Sequence, residues 1–520
     1  MKRTRVLAAA MAALSLGGSL AGCSSSAVTP TPTPSAPTGE QTAAVQPAQA
    51  PKYVFLFIGD GMSYPQIQST SDFLGALDDE DYWQAQPSLD DNQGAILDGP
   101  EYLNFMNFEG VGTAVTFDSN SFAPDSASTA TSIATGHKTY SGSINVDETG
   151  TVEYETIAEQ LKAQKGYEIG VITSVNLNHA TPAAFYAHQA SRSSYYEIGL
   201  ELIDSDFDYF AGGGLLDPTG SEGDQEDLYA LAEAAGYTVA KTNAEAEAVS
   251  ASTDKAILID EDLADSDAMA YELDRADDMW SLADYVAKGI EVLDNDTGFF
   301  LMCEGGKIDW ACHANDAAST IHDTKALADA VQVAIDFAAE RPEETLILVT
   351  GDHETGGLTI GFAGTDYDTY LDLLESQKIS FAKYDSDYVA AYKENKTSFE
   401  EVLQDIEELF GLKVQGEEGD KLVLTEYELE QLRAAYEKSV NGTAASEYEQ
   451  EEYVLYGTYE PLSVTITHII NNKSGISFTS YSHTGLPVAV LAEGAGAETF
   501  NGYYDNTQIY HKMADLLDIA

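Results

Sequence analysis

The chain has 520 residues, 44% of them hydrophobic, which is enough to bury a large core in one or two domains and excludes a disordered protein. It has 25 basic and 87 acidic residues, and the resulting net charge of −62 argues against binding to nucleic acids or to anionic membrane surfaces. If the substrate is an anion, the active site must supply its own positive field, and bound metal ions would do so.

The N-terminal segment predicts export and attachment to a membrane. Three basic residues among the first five precede an apolar run over residues 6–16, which is typical of a signal peptide, here over residues 1–22. Leu20-Ala21-Gly22-Cys23 resembles the lipobox of bacterial lipoproteins, which implies cleavage before Cys23 and lipidation of its thiol. A membrane-spanning anchor is the alternative, but the apolar run is short. Residues 23–51 then predict a lipidated Ser/Thr/Pro-rich linker, with the protein on the outer side of the cytoplasmic membrane, at the cell surface or in a periplasm.

Four short apolar runs predict the central strands of a parallel sheet, and helical patterns lie between them. The strands are predicted at residues 53–58, 169–173, 299–302 and 346–350, and two of the helices at residues 156–163 and 320–339. This alternation of strands and helices indicates an α/β domain over residues 52–520.

Three acidic, tyrosine-rich stretches interrupt the alternation, at about residues 72–108, 213–280 and 361–470. The last of them contains a predicted amphipathic helix over residues 426–438. We interpret the three stretches as insertions at the rim of the sheet. Lids, oligomer contacts and plain surface extensions are the alternatives, and the sequence does not choose between them.

Carboxylates follow three of the predicted strands at the point where each strand ends. Asp60 follows the first strand, Glu304 and Asp309 the third, and Asp352 the fourth. The carboxyl ends of parallel strands meet at one edge of a sheet, where open α/β proteins bind their ligands. A single carboxylate there is often a helix N-cap, but three strands that end alike indicate buried carboxylates compensated by cations.

Histidines complete a set of zinc-ligand types at these strand ends. His313 comes four residues after Asp309, so on a helix the two side chains share one face. His353 follows Asp352 directly, and His483 lies in a turn bounded by glycine. Two zinc ions with about three protein ligands each, and a third site for a harder ion, would use most of these residues. The alternative is a solvated loop that carries a stray histidine.

A nucleophile candidate lies at a Ser/Thr-rich helix start. Pro124 and Asp125 predict the entry of a helix and Gly136 its C-cap, so Ser126 falls in the first turn. The backbone N–H groups and the helix dipole favour an anion at that position. Such helix starts are common without any function, and only the clusters of metal-ligand residues favour a nucleophilic role for Ser126.

Two cysteines remain after Cys23. Cys303 and Cys312 are either a disulfide, as in many exported proteins, or free thiols, with Cys303 buried at the end of a strand. Their spacing does not decide between these alternatives, and neither cysteine is assigned to a metal.

Taken together, these motifs resemble those of the alkaline phosphatase family and occur in that family's order. The motifs are Asp60 in IGDGM, Ser126 in PDSASTATSIATG, His179 and Thr181 in NHATPAA, Arg192 in AHQASR, Glu304, Asp309 and His313 in EGGKIDWACH, Asp352 and His353 in TGDHETGG, and His483 in SHTG. The resemblance covers about residues 52–520, with the three insertions poorly matched. It implies a three-layer α/β/α sandwich around a mostly parallel central sheet, in a protein that forms homodimers.

The resemblance also implies the ligands of two Zn²⁺ and one Mg²⁺ per subunit. One zinc would be held by Asp309, His313 and His483, the other by Asp60, Asp352 and His353, and the magnesium by Asp60, Thr181 and Glu304. Ser126 would be the catalytic nucleophile that forms a phosphoserine intermediate, and Arg192 would bind two phosphate oxygens. The implied activity is metal-dependent hydrolysis of phosphomonoesters with release of inorganic phosphate.

Two substrate-side positions depart from many bacterial members of the family. His179 stands where those carry aspartate, so it either ligates an ion, directly or through water, or weakens magnesium binding. Trp310 stands where they carry lysine, which removes a cation near the phosphate and predicts looser phosphate binding. Packing on the cleft wall is the alternative role for Trp310. These departures leave the identity and the affinity of the third metal open.

Two other functions compete with this interpretation. A phosphodiesterase or pyrophosphatase of the same superfamily would tend to use a threonine nucleophile without the arginine, so Ser126 and Arg192 favour the monoester. A sulfatase is disfavoured because Ser126 lacks the Cys/Ser-x-Pro-x-Arg context. A non-catalytic surface lipoprotein that binds ligands would be expected to have lost a metal ligand or the nucleophile, and here every such position is filled.

Overall fold

The computed structural model describes residues 50–79, 82, 97–442 and 448–519. The predicted signal peptide, Cys23 and almost all of the predicted linker lie outside these ranges, as does part of the stretch 72–108. Each helix among the described residues is too short or too polar to cross a membrane.

Strands and helices alternate along most of the described chain. The strands are β1 (Tyr53–Gly59), β2 (Gly110–Val115), β3 (Glu168–Asn176), β4 (Tyr209–Gly213), β5 (Thr238–Ala240), β6 (Ala256–Ile259), β7 (Phe299–Gly305), β8 (Thr345–Gly351), β9 (Glu354–Thr355), β10 (Thr359–Ile360), β11 (Ile476–Ser477), β12 (His483–Thr484), β13 (Val488–Gly494) and β14 (Gly502–Asp505). The α-helices are α1 (Tyr64–Asp78), α2 (Ser126–Thr135), α3 (Ile157–Lys165), α4 (Ala180–Ala183), α5 (Tyr195–Asp204), α6 (Leu228–Ala234), α7 (Asn243–Ala248), α8 (Leu282–Leu293), α9 (Lys307–His313), α10 (Ala317–Glu340), α11 (Phe381–Tyr384), α12 (Ala390–Asn395), α13 (Phe399–Phe410), α14 (Glu426–Asn441), α15 (Gln450–Tyr456), α16 (Pro461–Ser474) and α17 (Thr507–Leu517).

Ten of the strands form one sheet in the order β14-β2-β13-β8-β1-β7-β3-β4-β6-β5. Only β13 runs antiparallel to its neighbours β2 and β8, and the other pairs in this sheet are parallel. Strand β1 pairs with β7 and β8 in matching register, so that Gly59 lies opposite both Gly305 and Gly351. The carboxyl ends of the three central strands therefore meet at one level of the sheet edge.

The sequence-based elements are confirmed with small shifts at their ends. All four predicted strands lie within β1, β3, β7 and β8, each of which extends past the apolar run by at least one residue. Helix α3 begins at Ile157 because Thr156 is its N-cap and accepts a hydrogen bond from the backbone N–H of Glu159. Helix α14 covers the predicted amphipathic helix.

Side chains alternate along the central strands and build a separate core on each face of the sheet. From β1, Val54, Leu56 and Ile58 pack with α2, α3, α5 and α17 on one face, whereas Phe55 and Phe57 pack with α1, α8 and α10 on the other. The described part of the chain is therefore the predicted three-layer α/β/α sandwich. Cys303 and Cys312 lie in the second core, and both are buried free thiols.

The acidic stretches 213–280 and 361–470 contribute further elements outside the central strands. The stretch 213–280 contributes β5 and β6, which form one edge of the sheet. The stretch 361–470 contains α11 to α16 (α16 ends at Ser474), and residues of α13, α14 and α16 share a third apolar core. Both stretches thus extend the sandwich, and residues of both reach the cleft described below.

Candidate active site

The central strands bring the predicted carboxylates together at their carboxyl ends. Asp60 follows β1, Asp352 follows β8 and Glu304 lies within β7, and all three side chains are fully buried. Helix α9 starts two residues after β7 and presents Asp309 and His313 on one face, with Asp309 Oδ2 and His313 Nε2 3.3 Å apart. The spacing of four residues predicted this arrangement.

A first group of ligand atoms comes from Asp309, His313 and His483 and lies within 4.8 Å. The Nε2 atoms of the two histidines are 3.0 Å apart. Their Nδ1 atoms lie 2.6 Å from the carbonyl oxygen of Tyr481 and 2.5 Å from that of Pro124, to which they can only donate. Both Nε2 atoms therefore converge beside the Asp309 carboxylate, and in neutral rings they would offer their lone pairs to a zinc ion.

A second group consists of Asp60, Asp352 and His353, all fully buried. His353 Nε2 lies 3.3 Å from Asp60 Oδ1 and 3.3 Å from Asp352 Oδ2. The hydroxyl of Ser126 is 3.2 Å from the same His353 nitrogen. The His353 ring also stacks on that of His483 with 3.7 Å between centroids, so the first two groups are adjacent.

A third group consists of Asp60, His179 and Glu304. Asp60 Oδ1, Glu304 Oε1 and His179 Nδ1 are buried without a hydrogen-bond partner, which is unfavourable unless something else satisfies them. Asp60 belongs to both the second and the third group. Thr181, which we predicted as a magnesium ligand, places its hydroxyl 3.5 Å from Asp60 Oδ2. The ligand atoms of the first two groups, and the Asp60 and Glu304 carboxylates of the third, fit bound cations in type and spacing.

Burial and mutual repulsion oppose ionisation of the carboxylates in the second and third groups. Burial and repulsion raise the pKa of Asp60 well above its usual range, and Asp352 is its strongest repelling neighbour. The pKa values of Glu304 and Asp352 are each raised to about 7, chiefly by burial. Burial acts on Asp309 in the same direction, but His313 and His483 outweigh it and hold the pKa of Asp309 well below its usual range.

Helix α2 begins at Ser126, as the sequence predicted. Asp125 is its N-cap and accepts a hydrogen bond from the backbone N–H of Ser128, and Gly136 closes the helix with φ of 75°. The other carboxylate oxygen of Asp125 binds Nη1 of Arg192 at 2.9 Å. The sequence indicates Asp125 only as a helix start, and nothing in it predicts the pairing with an arginine 67 residues away.

The nucleophile candidate and the first metal group open into one cleft of about 450 Å³. It is lined by Ser126, His179, Arg192, Asp265, Ser266, Asp309, Trp310, His313, Phe381, Tyr459 and His483. Trp310 lies on the cleft wall with its ring edge-to-face on His179, 5.9 Å between centroids. Asp265, Ser266, Phe381 and Tyr459 were not predicted; they come from the stretches 213–280 and 361–470, which carry no motif.

A sequence model of the family described as alkaline phosphatase matches residues 51–519. The chain belongs to the alkaline phosphatase family. Alkaline phosphatase 4 and alkaline phosphatase 3 of Bacillus subtilis are each 30% identical to it; the matches cover 87% and 88% of this chain, and 86% and 87% of theirs. Together with the three ligand groups, this membership makes the chain a metal-dependent hydrolase of phosphomonoesters.

Solved structures of alkaline phosphatases share the fold. The cold-active enzyme of a psychrophilic Shewanella species is 28% identical, with a TM-score of 0.71 over 89% of this chain and 99% of that chain. The alkaline phosphatase of the Antarctic bacterium TAB5 is 26% identical, with a TM-score of 0.59 over 91% and 99% of the two chains. A TAB5 variant in which a histidine is replaced by glutamate, 25% identical to this chain, has Mg bound in its M3 site.

Proposed function

We propose that this alkaline phosphatase hydrolyses phosphomonoesters through a phosphoserine on Ser126. The observation that carries the proposal is the position of the Ser126 hydroxyl, 3.2 Å from His353 Nε2 within a buried metal-ligand group. Ser126 also begins α2, whose N-terminal N–H groups favour an anion, and Arg192 lines the same cleft.

The three ligand groups support two zinc sites and one magnesium site. Zinc would be held by Asp309, His313 and His483 in one site and by Asp60, Asp352 and His353 in the other, while Asp60, Thr181 and Glu304 would hold magnesium. When bound, such cations activate a coordinated hydroxyl and neutralise the charge of a phosphoryl group.

The chain's own residues position the substrate. Arg192 binds non-bridging phosphate oxygens, and its ion pair with Asp125 fixes the plane of the guanidinium group. The hydroxyl oxygen of Ser126 attacks phosphorus while the bond to the ester oxygen breaks, and the alcohol leaves. Water then cleaves the new bond between serine and phosphorus, which releases inorganic phosphate and restores Ser126.

The full-length protein is expected to hydrolyse p-nitrophenyl phosphate far faster than bis-p-nitrophenyl phosphate. Replacing Arg192 with alanine should lower kcat/KM for the monoester on the order of 10²-fold and affect the diester less, because the diester carries one fewer charged oxygen. Arg433→Ala, at a half-exposed surface arginine paired with Glu400, is the matched control. A preference for the diester would favour a phosphodiesterase, and no turnover of either ester by the metal-loaded protein would favour a binding lipoprotein.

His179 is expected to weaken magnesium binding at the third site. Arg192 Nη2, which can only donate, lies 3.2 Å from His179 Nε2, so the neutral ring carries its proton on Nδ1. Burial and Arg192 lower the pKa of His179 to about 3, so the ring stays neutral at physiological pH. A protonated Nδ1 is not a metal ligand, which makes His179 a hydrogen-bond donor in this group.

Replacing His179 with aspartate should therefore raise the affinity for Mg²⁺, by roughly 10- to 100-fold. The measurement is the Mg²⁺ concentration for half-maximal activation, with calorimetric titration as a second readout. His511→Asp, at an exposed histidine, makes the same change of charge elsewhere. The TAB5 variant supports the expectation, since there a glutamate in place of a histidine accompanies Mg in the M3 site. Unchanged Mg²⁺ affinity in His179→Asp would contradict it.

We also propose that the enzyme is an exported lipoprotein and works as a homodimer. The lipobox-like Leu20-Ala21-Gly22-Cys23 supports cleavage after residue 22 and lipidation of Cys23. Residues 23–51 would then tether the catalytic domain to the outer side of the cytoplasmic membrane. Residues 72–108, 213–280 and 361–470 are proposed as insertions in that domain.

A further inference from the structure

The outer wall of the active-site cleft contains side chains that phosphate hydrolysis at Ser126 does not use. Asp265 and Ser266 lie on it, together with Phe381 and Tyr459. Because they line the same cleft as Ser126, they can contact the alcohol part of an ester bound there. The chemistry of this wall therefore bears on which alcohols the enzyme releases.

The wall includes a turn held in an unfavourable backbone conformation. Ser266 and Asp267 have φ of 57° and 58°, in the left-handed region that residues other than glycine rarely adopt. Asn176, buried at the end of β3, donates from Nδ2 to the carbonyl oxygens of Ser266 and Asp267 at 2.9 and 3.2 Å. The backbone N–H of Gly214 also donates to Asp267, at 2.8 Å. Two strand ends thus fix the turn, and strain maintained in this way is typical of functional sites.

This turn places the Asp265 carboxylate at the cleft. Asp265 is exposed and accepts a hydrogen bond from the hydroxyl of Ser266 at 3.0 Å. No described lysine, arginine or histidine forms an ion pair with it within 4.0 Å. The buried ammonium of Lys307, which Asp265 attracts electrostatically, lies between two rings, 4.3 Å from the centre of Tyr271 and 4.5 Å from that of Trp310. Because Asp265 is exposed and forms no close ion pair with a described residue, its carboxylate can contact a ligand in the cleft.

Two aromatic rings accompany this carboxylate. Phe381 and Tyr459 pack edge-to-face with 5.8 Å between centroids, and Tyr459 also stacks on Tyr481. In the described part of the chain, no lysine or arginine lies over either of these two rings, whereas Lys307 lies over the ring of Trp310. Aromatic faces next to a carboxylate attract ammonium groups, and quaternary ammonium ions most specifically.

We propose that this wall selects phosphomonoesters of amino alcohols, whose leaving group carries an ammonium ion, with Asp265 as the specificity-determining residue. The proposal rests on the proposed function, hydrolysis at Ser126. The turn positions the Asp265 carboxylate, and the half-buried Tyr459, against which the buried Phe381 packs, supplies an apolar face for the methyl or methylene groups next to the nitrogen. The protein's net charge of −62 adds a general attraction for cations.

The test compares phosphocholine with its neutral carbon analogue, 3,3-dimethylbutyl phosphate, on the full-length metal-loaded enzyme. The measured quantity is kcat/KM for phosphocholine divided by kcat/KM for the carbon analogue. Comparing this ratio between variants cancels the intrinsic reactivities of the two esters. Asp265→Asn is expected to lower this ratio about five-fold, the effect of one unit-charge pair some 4 Å apart in water. In the unmodified enzyme the ratio should also fall as salt rises from about 0.01 M to about 1 M.

Asp262→Asn is the matched control, because it removes the same charge three residues earlier from an exposed side chain that does not line the cleft. It should leave the ratio unchanged. An equal fall of the ratio in both variants, or no fall in Asp265→Asn, would overturn the proposal. Tyr459→Leu should lower the ratio and Tyr459→Phe should restore it. If the unmodified enzyme hydrolyses neither ester, the proposed function fails instead. In each variant, turnover of the carbon analogue shows that the catalytic site is intact.

Discussion

Ser126→Ala is expected to lower kcat for p-nitrophenyl phosphate on the order of 10⁴-fold while the fold is retained. The serine hydroxyl is the group that would form the covalent bond to phosphorus, and no other described hydroxyl approaches His353 Nε2 as closely, at 3.2 Å. Its removal deletes only one oxygen at the start of α2, whose N-cap Asp125 remains in place. The expected loss is therefore in kcat, with little change in the melting temperature.

Ser132→Ala is the matched control for this loss. Ser132 is buried on the same helix, and its hydroxyl donates to the carbonyl oxygen of Ser128, away from the ligand groups. This variant should retain its activity. Acid quenching during turnover should also trap a phosphorylated peptide that contains Ser126 in the unmodified enzyme and none in Ser126→Ala. Full activity of Ser126→Ala, or trapped phosphate on another residue, would reject the phosphoserine.

The central fold was predictable because buried parallel strands are continuous apolar runs. Strands β1, β7 and β8 are buried along their whole lengths, so their sequences lack the alternation of half-exposed strands. The short edge strand β5 contains only three residues, one of them exposed, and gives no such signal. The antiparallel direction of β13 was not predictable, because it depends on how the chain returns to the sheet.

Many of the candidate metal ligands were predictable as ligand types, because they lie at strand ends or share one helix face, whereas their division into three groups came from the resemblance to the family. The rest of the cleft was not predictable, since Asp265, Phe381 and Tyr459 come from stretches that contain no ligand types in a recognisable spacing. The proximity of His179 to Asp60 and Glu304 also depends on how β1, β3 and β7 pair in the sheet. Long-range packing determines these positions, and one sequence does not reveal it.

Removal of metal ions by a chelator is expected to abolish hydrolysis and to lower the melting temperature, by more at pH 8 than at pH 5. Without cations, the buried carboxylates of Asp60, Glu304 and Asp352 repel one another. At low pH, protons can replace the cations and relieve that repulsion. At high pH the carboxyl groups lose their protons and no cation compensates their charges, so the metal-free protein should be least stable there.

The pH dependence of the metal-free protein's stability follows from the raised pKa values of these buried carboxyl groups. A carboxyl group whose pKa is raised by folding binds more protons in the folded than in the unfolded state, so the stability of the metal-free protein falls as pH rises. For Glu304 and Asp352 the fall lies between their ordinary values and about 7, and above that it is complete. Bound cations should therefore add most stability above about pH 7. Thermal unfolding from pH 5 to 9, with chelator and with chelator already saturated with zinc, measures this difference. An equal loss of melting temperature at pH 5 and pH 8 would mean that these carboxylates do not hold the ions.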